Sequence, residues 1–199
     1  MMRFEEFKKL VKQDRSYRRF DESMKLSEDK LAELIGLVRY CPSTANSQAL
    51  KFMPVYTEKG CAAVFETLGW AAALPEWNGP AEGERPGGYI IVLCDRELAE
   101  KKPVDTGICA QTIMLGAAAL GYGGCMLANI RRKELMEALL IDPERFSVEL
   151  VLALGKPAET VQIVDLPEVG SVKYYRDAEG RHYVPKRGLE ELIVKSDRN

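Results

Sequence analysis

One histidine, His182, is all the imidazole in this chain of 199 residues. With no second histidine, a multi-histidine metal centre has nothing to build on. Also missing are H-E-x-x-H, a G-x-x-x-x-G-K-[ST] phosphate loop, a paired-carboxylate dyad and a nucleophile–base pair. No catalytic side chain stands out. Five cysteines (Cys41, Cys61, Cys94, Cys109, Cys125) are widely spaced with no C-x-x-C pair. That argues against a zinc site, so no metal is expected, and it favours reduced thiols in a cytosol. The opening residues "MMRFEEFKKL" lack the apolar core of a secretory signal. The expected location is therefore cytoplasmic. Charge surplus is missing too: 28 Lys+Arg face 30 Asp+Glu, a net of −2. A general nucleic-acid binder usually shows a basic excess, so none is expected here. Residues 106–128 carry no charge, but Gly121, Gly123 and Gly124 interrupt them and alanines dilute them. The segment reads as a buried helix, a turn and a strand rather than a membrane span.

What is present is an ordinary globular composition, 46% hydrophobic and 29% charged, suited to one domain over 1–199. Phe4, Phe7, Leu10 and Val11 recur at helical spacing over 3–13. Ser27 can cap a second helix that stops near Cys41-Pro42, because the residue before proline disfavours α geometry. "LKFMPVYT" (50–57) reads as a strand, with Pro54 suggesting an edge. "KGCAAVFETL" reads as a helix. Residues 74–88, rich in Pro and Gly, read as a long loop. "YIIVLCD" (89–95) is a continuous apolar run, hence a central strand buried on both faces. Asp105 can cap the long Ala-rich helix, with Gly121 just past its end. "GGCMLAN" (123–129) and "VELVLALG" (148–155) are further strands flanking the helix "RRKELMEALL". The polar extension 171–199 ends in a short helix near 189–194. The sum is α+β, about four strands with helices around them.

Four segments can carry chemistry. "RSYRRF" (15–20) crowds Arg15, Ser16 and Arg18 where the chain turns out of its first helix. Guanidinium forks and a hydroxyl suit a phosphate, and a solvated basic face paired with Asp14 and Asp21 is the alternative. "CPSTANSQ" (41–48) supplies hydroxyls and amides at Ser43, Thr44, Ser47, Asn46 and Gln48. These match a heterocycle's carbonyls and nitrogens, or else form an ordinary polar loop. "LGYGGC" (120–125) lets backbone approach a flat ligand, or merely ends a helix and starts a strand. "VPKRGLEEL" (184–192) sets Lys186 and Arg187 before a short helix, an anion site or a basic tail. His182 lies near it and is expected to be structural or exposed. With no acid–base machinery evident, a cofactor is expected to carry any reactivity.

In this order, "RSYRRF", "CPSTANSQALKF", "DTGICAQTIMLGAAALGYGGC" and "VPKR" resemble the nitroreductase family of flavoproteins, over roughly residues 4–192. The resemblance implies an α+β sandwich, a mostly antiparallel sheet of four to five strands surrounded by helices, in an intertwined homodimer with FMN at the interface. It implies that Arg15, Ser16 and Arg18 hold the phosphate and ribityl, with Lys186 and Arg187 completing the clamp. Pro42, Ser43, Thr44, Asn46 and Gln48 would come from the partner subunit to line the ring and ribityl, and Gly123 and Gly124 would present backbone to a ring edge. The chain departs from the family where Asp14 precedes the Arg-Ser pair and where Ala49-Leu50 follows Gln48. The implied activity is hydride transfer from NADH or NADPH to FMN, then electron delivery to a small-molecule acceptor such as a nitroaromatic or quinone. Trp77, in the 74–88 loop, would stack as a substrate lid or pack that loop onto the core. Alternatives on the same scaffold are a dehalogenase or flavin-destroying enzyme with an extra lid, for which residues 160–183 are the place, and a non-enzymatic FMN redox sensor. A colourless phospho-ligand module is a further alternative.

Overall fold

The apolar spacing at the amino end does produce a helix, α1 (Phe4–Gln13), but that helix buries none of its residues. Phe4 is 74% exposed and Phe7 40%. The computed structural model describes residues 3–166 and 170–194. After α1 come strand β1 (Phe20–Asp21) and helix α2 (Glu28–Gly36). The Ser27 side chain caps α2 by accepting the Lys30 N–H. A 3-10 turn, Leu37–Tyr40, tightens the end of α2, and Cys41 is already extended before Pro42. A second 3-10 turn, Thr44–Asn46, leads to strand β2 (Leu50–Val55) and helix α3 (Glu58–Glu66), which Thr57 caps.

Strand β3 (Gly88–Asp95) follows, and all eight of its residues are buried. Helix α4 (Pro103–Ala119), strand β4 (Gly123–Leu127), helix α5 (Arg132–Ala138) and strand β5 (Phe146–Pro157) complete the main body. Strands β6 (Val161–Asp165), β7 (Tyr175–Arg176) and β8 (His182–Lys186) precede helix α6 (Leu189–Leu192).

The main sheet runs β1-β5-β3-β2, with β4 also on β5, and every pairing is antiparallel. Pro54 lies on β2, the edge strand, where a missing N–H costs no ladder bond. The unbroken apolar run of β3 has a two-faced explanation. Tyr89, Ile91 and Leu93 pack with Val64 and Leu135 under α3 and α5. Ile90 and Val92 pack with Leu31, Leu34, Ile113 and Ala117 under α2 and α4. Each such side chain contributes about 1.5–3 kcal/mol when fully buried.

Helix α4 begins at Pro103, three residues earlier than expected, so Asp105 lies inside its first turn rather than at the cap. The other end follows expectation. Gly121 has φ +77°, and the N–H groups of Gly121 and Tyr122 reach Ala118 and Ala117. That is a Schellman stop, with Gly in the left-handed position. The uncharged stretch 106–128 is therefore helix, turn and strand. Among the described residues no helix is long and apolar enough to cross a membrane.

The polar extension does more than expected. Strands β6, β8 and β7 form a second sheet, with β6 parallel to β8. Within 160–183, the expected place for a lid, residues 161–165, 175–176 and 182–183 belong to this sheet.

Candidate functional site

The chain leaving α1 is tied to β4. Ser16 forms a parallel bridge with Gly124, and the Tyr17 N–H donates to the Gly124 carbonyl at 2.9 Å. Two of the four sequence segments are thereby set side by side. Glycine is required on both counts. A Cβ on Gly123 would stand 2.5 Å from the Tyr17 ring, and one on Gly124 2.3 Å from the Ala153 carbonyl. These glycines serve the packing of their own chain whether or not a ligand approaches them.

Arg15 donates from Nη2 to the Val11 carbonyl at 2.8 Å, while its buried Nε has no partner. Arg18 lies behind Ser16, donating to its carbonyl at 3.3 Å, and its guanidinium stacks 4.7 Å from the Tyr174 ring centre. Its Nε is likewise buried and unpartnered. Asp14 turns to α4, where Gln111 Nε2 donates to it at 2.6 Å. Burial raises the Asp14 pKa, against the pull of Gln111 and Arg15. Asp14, Arg15, Ser16, Gln111 and Met126 line a cleft of about 470 Å³.

Glu159, just after β5, anchors this segment in a way the sequence did not disclose. Its carboxylate accepts the Arg18 N–H, and the Arg19 N–H at 3.1 Å, and it pairs with Arg176 at 2.9 Å. His182 lies fully buried beside it, 3.8 Å from Glu159 and stacked on Tyr174. Burial lowers the His182 pKa to about 4, against the attraction of Glu159. His182 is therefore a neutral core residue, one of the two outcomes expected for it.

The 41–48 loop runs against α4. Asp105 accepts from the hydroxyls of Ser43 (2.7 Å) and Thr44 (2.6 Å) and from the Thr44 N–H (3.1 Å). The Thr44 bond leads in holding the Asp105 carboxyl below its usual range, with burial opposing and Ser43 assisting. Ser43 and Thr44, expected to face a ligand ring, thus spend hydroxyl protons on Asp105. Ala45, Asn46 and Gln48 have φ near +50°, and Gln48 Nε2 donates to Asn46 Oδ1 at 3.2 Å. Pro42, Ser43, Asn46 and Gln48 line a second cleft of about 340 Å³.

The carboxyl-end cations lie elsewhere in the chain. Arg187 pairs with Glu191 at 2.7 Å and lines a third cavity with Asp165 and Glu190. Lys186 closes β8 opposite Asp165. Within one chain the Arg15–Ser16 segment, the 41–48 loop and Arg187 therefore face separate cavities. Trp77 packs against the α3/α5 core, with the Arg176 guanidinium 4.3 Å from its ring centre.

Comparison with known proteins follows the same lines. The Nitroreductase family model matches residues 85–156, the span from β3 through β5. YdgI of Bacillus subtilis (strain 168), a curated relative named as an NAD(P)H nitroreductase, is 25% identical over 195 residues, 80% of this chain and 92% of its own. Among solved structures, a nitroreductase family protein from Clostridium difficile 630 superposes with TM-score 0.68 at 16% identity, over 98% of this chain and 99% of that one. A protein from Exiguobacterium sibiricum 255-15, solved in complex with FMN and described as a nitroreductase, gives TM-score 0.64 at 19% identity, over 77% of this chain and 89% of its own. With the sheet, the central helix and the glycine-bearing strand all accounted for in this way, the segment from β3 through β5 matches the nitroreductase family, and the chain shares the fold of solved nitroreductase family proteins.

Proposed function

We propose that the chain is an FMN-dependent oxidoreductase, working as a homodimer, that oxidises NADH or NADPH and reduces a nitroaromatic, quinone or similar small acceptor. The observation that carries this reading is the Ser16–Gly124 bridge. It ties the segment that brings a guanidinium and a hydroxyl to one cleft against β4, whose Met126 lines the same cleft. The donors fit a phosphorylated flavin: the Nε of Arg15, which lines this cleft, is a buried N–H donor with no acceptor among the described residues, and a phosphate supplies acceptors. Bound there, FMN would supply the two-electron chemistry that no side chain of this protein offers.

The chain's own residues then bind and orient. Arg15 and Ser16 hold the anionic end. Arg18 braces Ser16 from behind, and Glu159 fixes both through the backbone of Arg18 and Arg19. Asp105 keeps the 41–48 loop in its left-handed turns, with the amides of Asn46 and Gln48 at the cleft edge. A second protomer would bring that loop, and Lys186 with Arg187, to the Arg15 cleft. The bare apolar face of α1 supports such an association. In this reading Trp77 covers the acceptor, and it must leave Arg176 to do so.

The test is an absorption spectrum of the purified protein, then anaerobic addition of NADH and of NADPH. A flavin band that bleaches with at least one nucleotide is the expected result. A band that persists with both would make the chain a flavin-binding sensor, and no band after reconstitution would remove FMN altogether.

A further inference from the structure

A cavity of about 1000 Å³ lies across the main sheet from α4, between α5 and the ends of β3 and β5. At its mouth stands Leu140, 92% exposed and with φ +55°. The cause is local. Helix α5 ends in a Schellman stop: the Leu140 N–H reaches the Glu137 carbonyl at 3.3 Å, and the Ile141 N–H reaches that of Met136 at 2.9 Å. Leu140 thus occupies the left-handed position where glycine is the usual residue. A leucine there meets two costs at once, a backbone conformation that its Cβ opposes and an apolar side chain in water. Among the described residues nothing returns either cost.

The cavity suggests what does. Met136, Leu140 and Val148 give it an aliphatic lining, and no aromatic ring takes part. That suits a flexible alkyl chain better than a flat ring. Arg96, Lys101 and Lys133 stand exposed on the rim, beside Arg132, whose Nε is held by the Val148 carbonyl. Two carboxylates share the lining. Glu149 accepts from the Ser147 hydroxyl, and Glu137 is 3.9 Å from Lys133, so four cations face two anions. We infer that the Leu140 groove binds a free fatty acid, its alkyl chain on Met136, Leu140 and Val148 and its carboxylate among the rim cations. This site lies on the α3/α5 face, away from the Arg15 cleft, and does not depend on FMN.

The test is calorimetric titration of the purified protein, as isolated, with sodium decanoate kept below micelle formation. Decanol serves as the arm without a charge. Wild type should bind decanoate saturably at one per chain and decanol more weakly. Leu140→Gly should bind about 10-fold or more weakly, the affinity equivalent of one buried leucine side chain. The same variant should melt higher than wild type, because glycine accepts the left-handed backbone. Lys133→Glu should weaken decanoate but not decanol. No saturable binding by wild type, or unchanged binding by Leu140→Gly, would overturn the inference. So would a lower melting temperature for Leu140→Gly, which would give the side chain an internal role. A wild-type assembly that Leu140→Gly dissociates in gel filtration would also overturn it, by seating the leucine on a second copy.

Discussion

Thr44 donates two hydrogen bonds to Asp105, hydroxyl to Oδ1 at 2.6 Å and backbone N–H to the same carboxylate at 3.1 Å. With Ser43 as a third donor, the carboxylate organises a loop whose turns would otherwise be strained. Asp105→Ala should destabilise the protein by about 2–3 kcal/mol, the range for hydrogen bonds to a charged group. It should also weaken FMN retention. Chemical denaturation and flavin release measure the two effects. The folded carboxyl titrates below its ordinary 3.8. Its contribution is therefore whole above that value and is lost as pH falls through the lower folded value.

His182 has the opposite pH signature from a histidine that gains an anionic partner. Its folded pKa of about 4 lies below the ordinary 6.5, so the unfolded chain binds the extra proton. Stability should fall as pH drops from 6.5 toward 4. His182→Phe, which keeps the stacking surface against Tyr174, should flatten that part of a melting-temperature profile. A profile unchanged by the substitution would show that another group titrates there.

Arg15 and Ser16 separate binding from folding. Their side chains face a cleft, and only Arg15 makes a bond back to its own helix. Arg15→Ala should weaken FMN binding about 10- to 100-fold, the loss of a charge-assisted contact, with a small change in melting temperature. Flavin fluorescence recovered on dilution gives the dissociation constant.

Gly123→Ala and Gly124→Ala should fail in different ways. At Gly123 the new methyl meets the movable Tyr17 ring, so the arginine segment shifts and flavin affinity falls first. At Gly124 it meets the Ala153 backbone, and the sheet must open. We expect about 1–3 kcal/mol of lost stability there, typical of overpacking. Equal effects of both changes on flavin and on melting would contradict this division.

Glu159→Gln should cost about 3 kcal/mol or more, because it leaves Arg176 without its charge partner in a buried setting. Arg176 also stacks on Trp77, so the variant should shift tryptophan emission as well as the unfolding midpoint.

The elements legible in the sequence were those set by local chemistry. Ser27 announced its helix, Gly121 its stop, and the apolar run 89–95 a strand with core on both sides. What escaped was set at a distance. Glu159 sits 141 residues from Arg18 and bonds to backbone, which has no sequence signature. Asp105 read as a helix cap, since the same short carboxylate suits a cap or a loop anchor. The small second sheet escaped because its strands are only two to five residues long, too short for an alternating pattern to stand out. The four segments expected to carry chemistry could be picked out one by one. Their separation into different cavities of a single chain was not, because it depends on how far each lies around the sheet.

Strand β5 pairs with β1, β3 and β4. The Tyr17 amide, bonded to Gly124 on β4, is therefore stitched to the most shared seam of the molecule and should exchange its hydrogen for deuterium only when the whole sheet opens. The 41–48 loop hangs from one carboxylate on a helix and should exchange orders of magnitude sooner. In the proposed dimer, one wall of the flavin site would be as durable as the fold itself, and the other would breathe while the fold stays intact.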